Sequence, residues 1–339
     1  MSSRTEAAMA AERQIAEKEP GRGRLAHTPL AIPARGWWDI LWRVWHEIGE
    51  DRIFLIAAGA TFYLLLALFP ALAAFVSLYG FVADPRTIAD HIDFLGNVLP
   101  SGGYDLVRGQ LETLAAQSVQ SLSIRFVTGL LVAFWSAMNG IKSLFEGLNV
   151  AYGEREKRSF LMVNIIAFVF TIGAMLVGIA MLVSVGVIPT LLALLSLDHW
   201  TEAVISLMRW PILLVVVGAG ITVLFRYGPS RARAKWRWVT YGAAMATVVW
   251  LLASWGFSHY LRNFADYNAT YGSLGAVIGF LMWTWISVVI LLVGAELNAE
   301  LEHQTARDTT TGSPRPLGER GAVMADTVGE VAARSSSGQ

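Results

Sequence analysis

Apolar and polar positions alternate in blocks along this chain, and the apolar blocks are long. Between Arg52 and Asp84 only Thr61, Tyr63, Ser77 and Tyr79 interrupt the apolar run. About 20 apolar residues cross the hydrocarbon of a bilayer as a helix. The blocks predict six such helices, over about 54–82, 126–150, 160–188, 203–225, 238–261 and 271–297. Pro70 sits inside the first and is expected to kink it. Gly275 and Gly279 form a GxxxG pair in the sixth, a weak signal for helix contact. Before the first span, Trp37, Trp38, Leu41, Trp42, Trp45 and Ile48 share one helical face, with Asp39, Arg43, Glu47 and Glu50 opposite. That pattern predicts an amphipathic helix lying in the headgroup plane.

The tails differ. Residues 1–36 are polar and broken by Pro20, Gly21, Gly23 and Pro33. Residues 304–339 turn to Gly, Ser, Pro and Thr. Both read as disordered cytoplasmic tails around a membrane domain over 37–303. Within the connection 84–125, Ile88, Ile92, Leu95 and Leu99 recur at helical spacing. A second amphipathic stretch runs from Tyr104 to Gln117, and the two read as short helices on the outer surface. Residues 191–197 are read as lying in the outer interface after Pro189.

Composition agrees with the blocks: 55% of the 339 residues are hydrophobic and only 15% are charged. A soluble domain carries about 25% charged residues. The expected fold is therefore all-α, a polytopic integral membrane protein of six transmembrane helices with an interfacial N-terminal helix. With no cysteine, disulfides and thiolate chemistry are excluded. Net charge is zero, which excludes a generally basic nucleic-acid binder. Basic residues are unevenly placed. Arg4, Arg13, Lys18, Arg22, Arg24, Arg35, Arg43 and Arg52 precede the first span. Arg155, Lys157 and Arg158 follow the second, and Arg226, Arg231, Arg233, Lys235 and Arg237 follow the fourth. The alternate connections are poorer, so the positive-inside rule puts both termini in the cytoplasm.

Four stretches are candidates for chemistry. On the second span, Asn139, Lys142, Glu146 and Asn149 fall on one helical face extended by Trp135. They suit a polar path through the bundle, or an ordinary intrahelical Lys142–Glu146 pair. The loop RYGPSRARAKWRW offers Arg231, Arg233, Lys235 and Arg237 to anionic lipid headgroups. Tyr267, Asn268, Tyr271 and Gly272 precede the sixth span and suit either an outer gate or a well-capped turn. At the inner end of that span, GAELNAELE places Glu296 and Glu300 one turn apart, with Arg155 or Lys142 as the expected partner of Glu296. The six histidines lie far apart and make no HxH, HExxH or HxxxH arrangement; His259 reads as an interfacial residue. No GxSxG or Walker lysine loop is present, so no catalytic site, cofactor or metal is expected.

Several of these stretches together resemble the BrkB/YihY family of bacterial inner-membrane proteins. They are GATFYLLLALFP, LFEGLNVAYGEREKRSF, RYGP and YNATYGSLGAVIGFLMWTWISVVILLVGAELNAELE, and they cover roughly residues 37–303. The resemblance implies a six-helix protein of the cytoplasmic membrane, linked to virulence, with an old ribonuclease BN label and no agreed catalytic residues. The expected function is a transporter or exporter of a small solute or lipid-like molecule. A non-transporting envelope scaffold is the alternative, and a homo-oligomer is left open.

Overall fold

The computed structural model describes residues 3–82, 119–182, 184, 199–263 and 274–332. Every regular element among them is a helix, apart from one isolated antiparallel bridge between Ala234 and Thr310. The helices are α1 (Ser3–Lys18), α2 (Ala34–Glu50), α3 (Ile53–Val82), α4 (Val119–Ala151), α5 (Phe160–Leu182), α6 (His199–Tyr227), α7 (Trp236–Asn263), α8 (Gly275–His303) and the single-turn α9 (Val323–Asp326). Pro70 lies inside α3, which continues through it. The expected gate residues Tyr267, Asn268, Tyr271 and Gly272 lie outside the described residues. So do the two short outer helices and the stretch 191–197.

Among the described residues, five helices are long and apolar enough to cross a membrane: Ile53–Ala71, Phe160–Met181, Leu207–Tyr227, Trp236–Leu261 and Val277–His303. They coincide with five of the six expected spans. The remaining one, α4, has 33 residues, but Lys142 and Glu146 interrupt its apolar run. Apolar side chains of α5 face outward, with Phe160 85%, Leu161 68%, Val169 62% and Leu176 61% exposed. Such a surface is stable in lipid and unfavourable in water.

The chain forms two compact units. The first contains residues 1–56, 144–250 and 289–339. Its core joins Ile40 and Val44 of α2 to Trp238 of α7 and to Leu297 and Leu301 of α8, with Ala26 and Ile32 packed beneath. Here α7 and α8 come very close. A Cβ on Gly242 would lie 2.2 Å from the Gly294 carbonyl oxygen and 2.5 Å from Asn298 Cγ. Asn298 secures the contact by accepting from Gly242 N at 2.7 Å and donating to the Val239 carbonyl at 2.9 Å. The second unit contains residues 57–143 and 251–288. In it Gly140 of α4 seats Leu64 of α3, and Thr61, Ser136 and Thr284 are buried.

The tails expected to be disordered carry structure. Arg24, Gln304, Thr309 and Arg320 are each no more than 3% exposed. The Arg24 guanidinium donates to the carbonyls of Gln304 (3.1 Å) and Gly329 (2.7 Å) and to Glu19 (2.7 Å). Arg320 does the same for Ala325, Ala306 and Glu12. Polar composition suggests solvation because it offers little apolar surface to bury. Here the arginines saturate backbone carbonyls instead, which is how a polar segment is held without a large core.

Candidate functional site

The C-terminal end of α8 is where charge is concentrated. Every residue from Gly294 to Glu302 is buried, so the three acids there must each find a partner within the protein. One hundred degrees per residue sends them to different neighbours.

Glu302 meets the loop after α6. Arg231 grips it with two nitrogens, at 3.1 and 2.6 Å, and Thr309 Oγ1 donates at 2.6 Å. Both charged side chains are almost fully enclosed, and the guanidinium lies 4.7 Å over the Tyr152 ring. Burial pulls the Arg231 guanidinium down, but Glu302 more than offsets this and holds it above its ordinary value. Glu300 meets α2: Arg43 Nε pairs with it, and Arg43 also reaches Gln304 Oε1 and the Glu330 carbonyl, both at 2.7 Å. His303 Nδ1 stands 3.5 Å from the same carboxylate.

Glu296 is different. It is 1% exposed, and its Oε1 has no hydrogen-bond donor. What it meets is the carboxyl group of Asp51, at the end of α2, with Glu300 and Glu47 beyond. Burial pushes the Asp51 carboxyl up from its ordinary value; Glu50 and Glu300 add to that, and the hydrogen bond with Glu296 opposes it. Burial also pushes up Glu47, helped by Asp51 and Glu300. The expected partner Arg155 is exposed on its loop.

The expected polar face of α4 divides. Asn149 is buried and ties two loops together, accepting from Ser230 N at 2.7 Å and donating to Glu156 at 3.2 Å. Arg158 braces the same loops through Glu156 and the Gly228 carbonyl. It also brings Glu156 down to about 2, chiefly by their hydrogen bond. Asn139 and Lys142 are half-buried, while Glu146 and Trp135 are exposed. Of the basic loop, Arg231 is turned into the protein and Lys235 donates to the Asp308 carbonyl at 2.7 Å. Arg233 and Arg237 are exposed.

On α2 the charged residues Asp39 and Arg43 are buried, whereas Trp38, Leu41 and Trp45 are 67%, 53% and 80% exposed. Asp39 takes Arg22 at 2.6 Å and the Ala332 amide at 3.2 Å. The buried acid and arginine of this helix thus face inward and its exposed aromatic residues outward. Sequence reasoning passed over Asp51. Its one signal was an acid just ahead of a long apolar run. No group of three or more His, Asp or Glu suited to a metal occurs among the described residues.

A family model described as virulence factor BrkB matches residues 44–317. The chain is 29% identical over 254 residues to YfkH of Bacillus subtilis, ribonuclease-like by name, covering 72% of this chain and 88% of that protein. It is 29% identical over 260 residues to a UPF0761 membrane protein of Stenotrophomonas maltophilia, covering 76% of this chain and 59% of that one. A UPF0761 membrane protein of Vibrio vulnificus is 24% identical over 258 residues, 75% and 80% of the two chains. No solved structure matches the chain.

Proposed function

The chain belongs to the virulence factor BrkB family, and on that premise we propose that it is a multi-pass carrier in the bacterial cytoplasmic membrane, moving a small solute or lipid-like molecule. The observation that carries this reading is Glu296, a buried carboxyl group within a span-length apolar helix, whose Oε1 has no hydrogen-bond partner among the described residues. Ionisable groups at membrane depth are costly and mark ion or substrate paths. The proposed topology has α4 as a sixth span and both termini cytoplasmic. Its support is that the tails and both basic loops pack on one another. Lys157 N donates to Ser230 Oγ, Val323 N to Glu154, and Lys235 N to the Thr309 carbonyl. The exposed Trp38–Leu41–Trp45 face of α2 is proposed to rest in the headgroup layer, with Arg233 and Arg237 supplying contacts to anionic lipid.

The test is flux in proteoliposomes over a panel of small solutes and fluorescent lipids. Wild type is compared with Glu296→Gln and with the triple variant Asn139→Leu, Lys142→Met, Glu146→Gln. Flux lost in Glu296→Gln alone supports a path at the α8 end. Flux lost in the triple variant supports the α4 face. No flux of any compound from folded protein rejects the carrier. The second reading is then an envelope scaffold, which the exposed aromatic face of α2 favours. A ribonuclease is not proposed, since the sequence carries no motif for the metal ligands such chemistry needs.

A further inference from the structure

We propose that Asp51 and Glu296 form a proton-binding carboxyl pair, with one proton held between the two side chains at the C-terminal end of α8. The geometry asks for it. The Asp51 and Glu296 carboxyl groups face one another at this junction; an ionised carboxylate only accepts hydrogen bonds, so the two can bond to each other only by sharing a proton. Glu296 Oε1 is buried with no hydrogen-bond partner among the described residues. Two carboxylates sharing a site do not both ionise near neutrality, since their repulsion and desolvation raise one strongly.

Among the described residues, the groups around the pair are acids, a phenol, or cations engaged elsewhere. From α2 and its end come Glu47, Glu50 and Asp51; from α8 itself comes Glu300. From the end of α4 comes Tyr152, a neutral phenol that burial keeps protonated. Arg43 and His303 are engaged by Glu300, and Arg231 by Glu302. His46 stacks on Trp42 at 5.7 Å. The pair therefore bears a single negative charge when loaded and two when empty.

Its position also gives the proton a way in. Asp51 is half-buried and Glu50 is exposed. Arg52, at a φ of 51°, turns the chain from α2 into α3 and sets Asp51 at the junction. Asp51 is thus the outward member of the pair and Glu296 the inward one, inside the α8 span. As the coupling site of a carrier, this inference rests on the reading above; as a proton site it stands by itself.

Infrared difference spectroscopy on the full chain in liposomes, titrated in pH at fixed ionic strength, tests the pair. Wild type should show a protonated carboxyl band that persists above the ordinary carboxylate range of about 4 and vanishes on further alkalinisation. The band should be lost in both Glu296→Gln and Asp51→Asn. In Glu47→Gln it should remain, with its midpoint moved to lower pH because one negative neighbour is gone. Persistence of the band in both pair variants overturns the proposal. So does its loss in Glu47→Gln, and so does a response to added Na⁺ at constant pH without one to pH. A band present with no solute flux rejects the carrier and leaves the pair standing. Flux retained with no band does the reverse.

Discussion

Arg231 offers the sharpest test, because charge patterning assigns it to lipid and the structure assigns it to Glu302. Its side chain is 2% exposed and that of Glu302 is 0%. Replacing Arg231 by methionine leaves Glu302 enclosed, with Thr309 Oγ1 still donating to it. Breaking one side of a buried ion pair costs about 3–5 kcal/mol, since the surviving charge stays desolvated. Glu302→Leu should cost a similar amount for the mirror reason. The double variant Arg231→Met, Glu302→Leu removes both charges, and should lie within about 2 kcal/mol of wild type. Arg237→Ala, at an exposed position of the same loop, should stay within about 0.5 kcal/mol. Reversible unfolding in mixed micelles, followed by tryptophan fluorescence, measures all four. The reasoning is refuted if either single variant costs no more than Arg237→Ala, or if the double variant is as costly as the two singles added together. Binding to anionic vesicles supplies the complementary reading, in which Arg233 and Arg237 matter and Arg231 does not.

Other outcomes follow from the same contacts. Gly242→Ala puts a carbon 2.2 Å from the Gly294 carbonyl oxygen; forcing α7 and α8 apart should cost about 1–3 kcal/mol or more, and an unfolding midpoint equal to wild type would show that the helices are not in such contact. Asn149→Leu leaves the buried Ser230 amide unpaired, a loss of about 1–3 kcal/mol, and should speed proteolysis in the loops 153–159 and 228–235. Asp51→Asn should flatten the pH dependence of thermal stability. Burial raises Asp51, so its stabilising contribution is complete below the unfolded value and is lost as pH rises through the folded one. The variant should therefore be the more stable on the alkaline side, and a parallel profile would count against the assignment. Glu156 has the opposite sign: held at about 2 by Arg158, it stabilises above its ordinary 4.5 and loses that as pH falls toward 2, so Glu156→Gln should remove this acid-limb dependence.

Much of the membrane domain is legible in the sequence because lipid imposes a simple rule, a long run without charge. The five helices long and apolar enough to cross a membrane follow from it. The rule is weaker where a helix touches protein on several sides. In α4, Asn149 faces the loops while Glu146, three residues before, is exposed; spacing gives the shared face but not what covers it. The spacing of Glu296 and Glu300 was readable too, yet their partners lie on α2, some 250 residues away in sequence. Nothing local distinguishes a basic residue that stays exposed, such as Arg237, from one destined for a carboxylate, such as Arg231. The tails escaped for a related reason. Their contacts run from arginines to backbone carbonyls of remote segments, and carbonyls leave no mark in composition.

The knitting of the two tails has a consequence for the order in which the protein is made. Arg24 bonds to Gln304 and Gly329, and Arg43 to Glu300 and Glu330, over sequence separations of 257 to 305 residues. A ribosome synthesises the first partners long before the second. While the spans are being inserted, Asp39, Arg24 and Arg43 wait in water with their charges solvated. Only when residues 304–330 emerge is the base closed, the late step expected of a topology dominated by distant contacts. Quality control thus has a natural checkpoint: a chain interrupted after α8 has an open base, with arginines facing carbonyls that were never made.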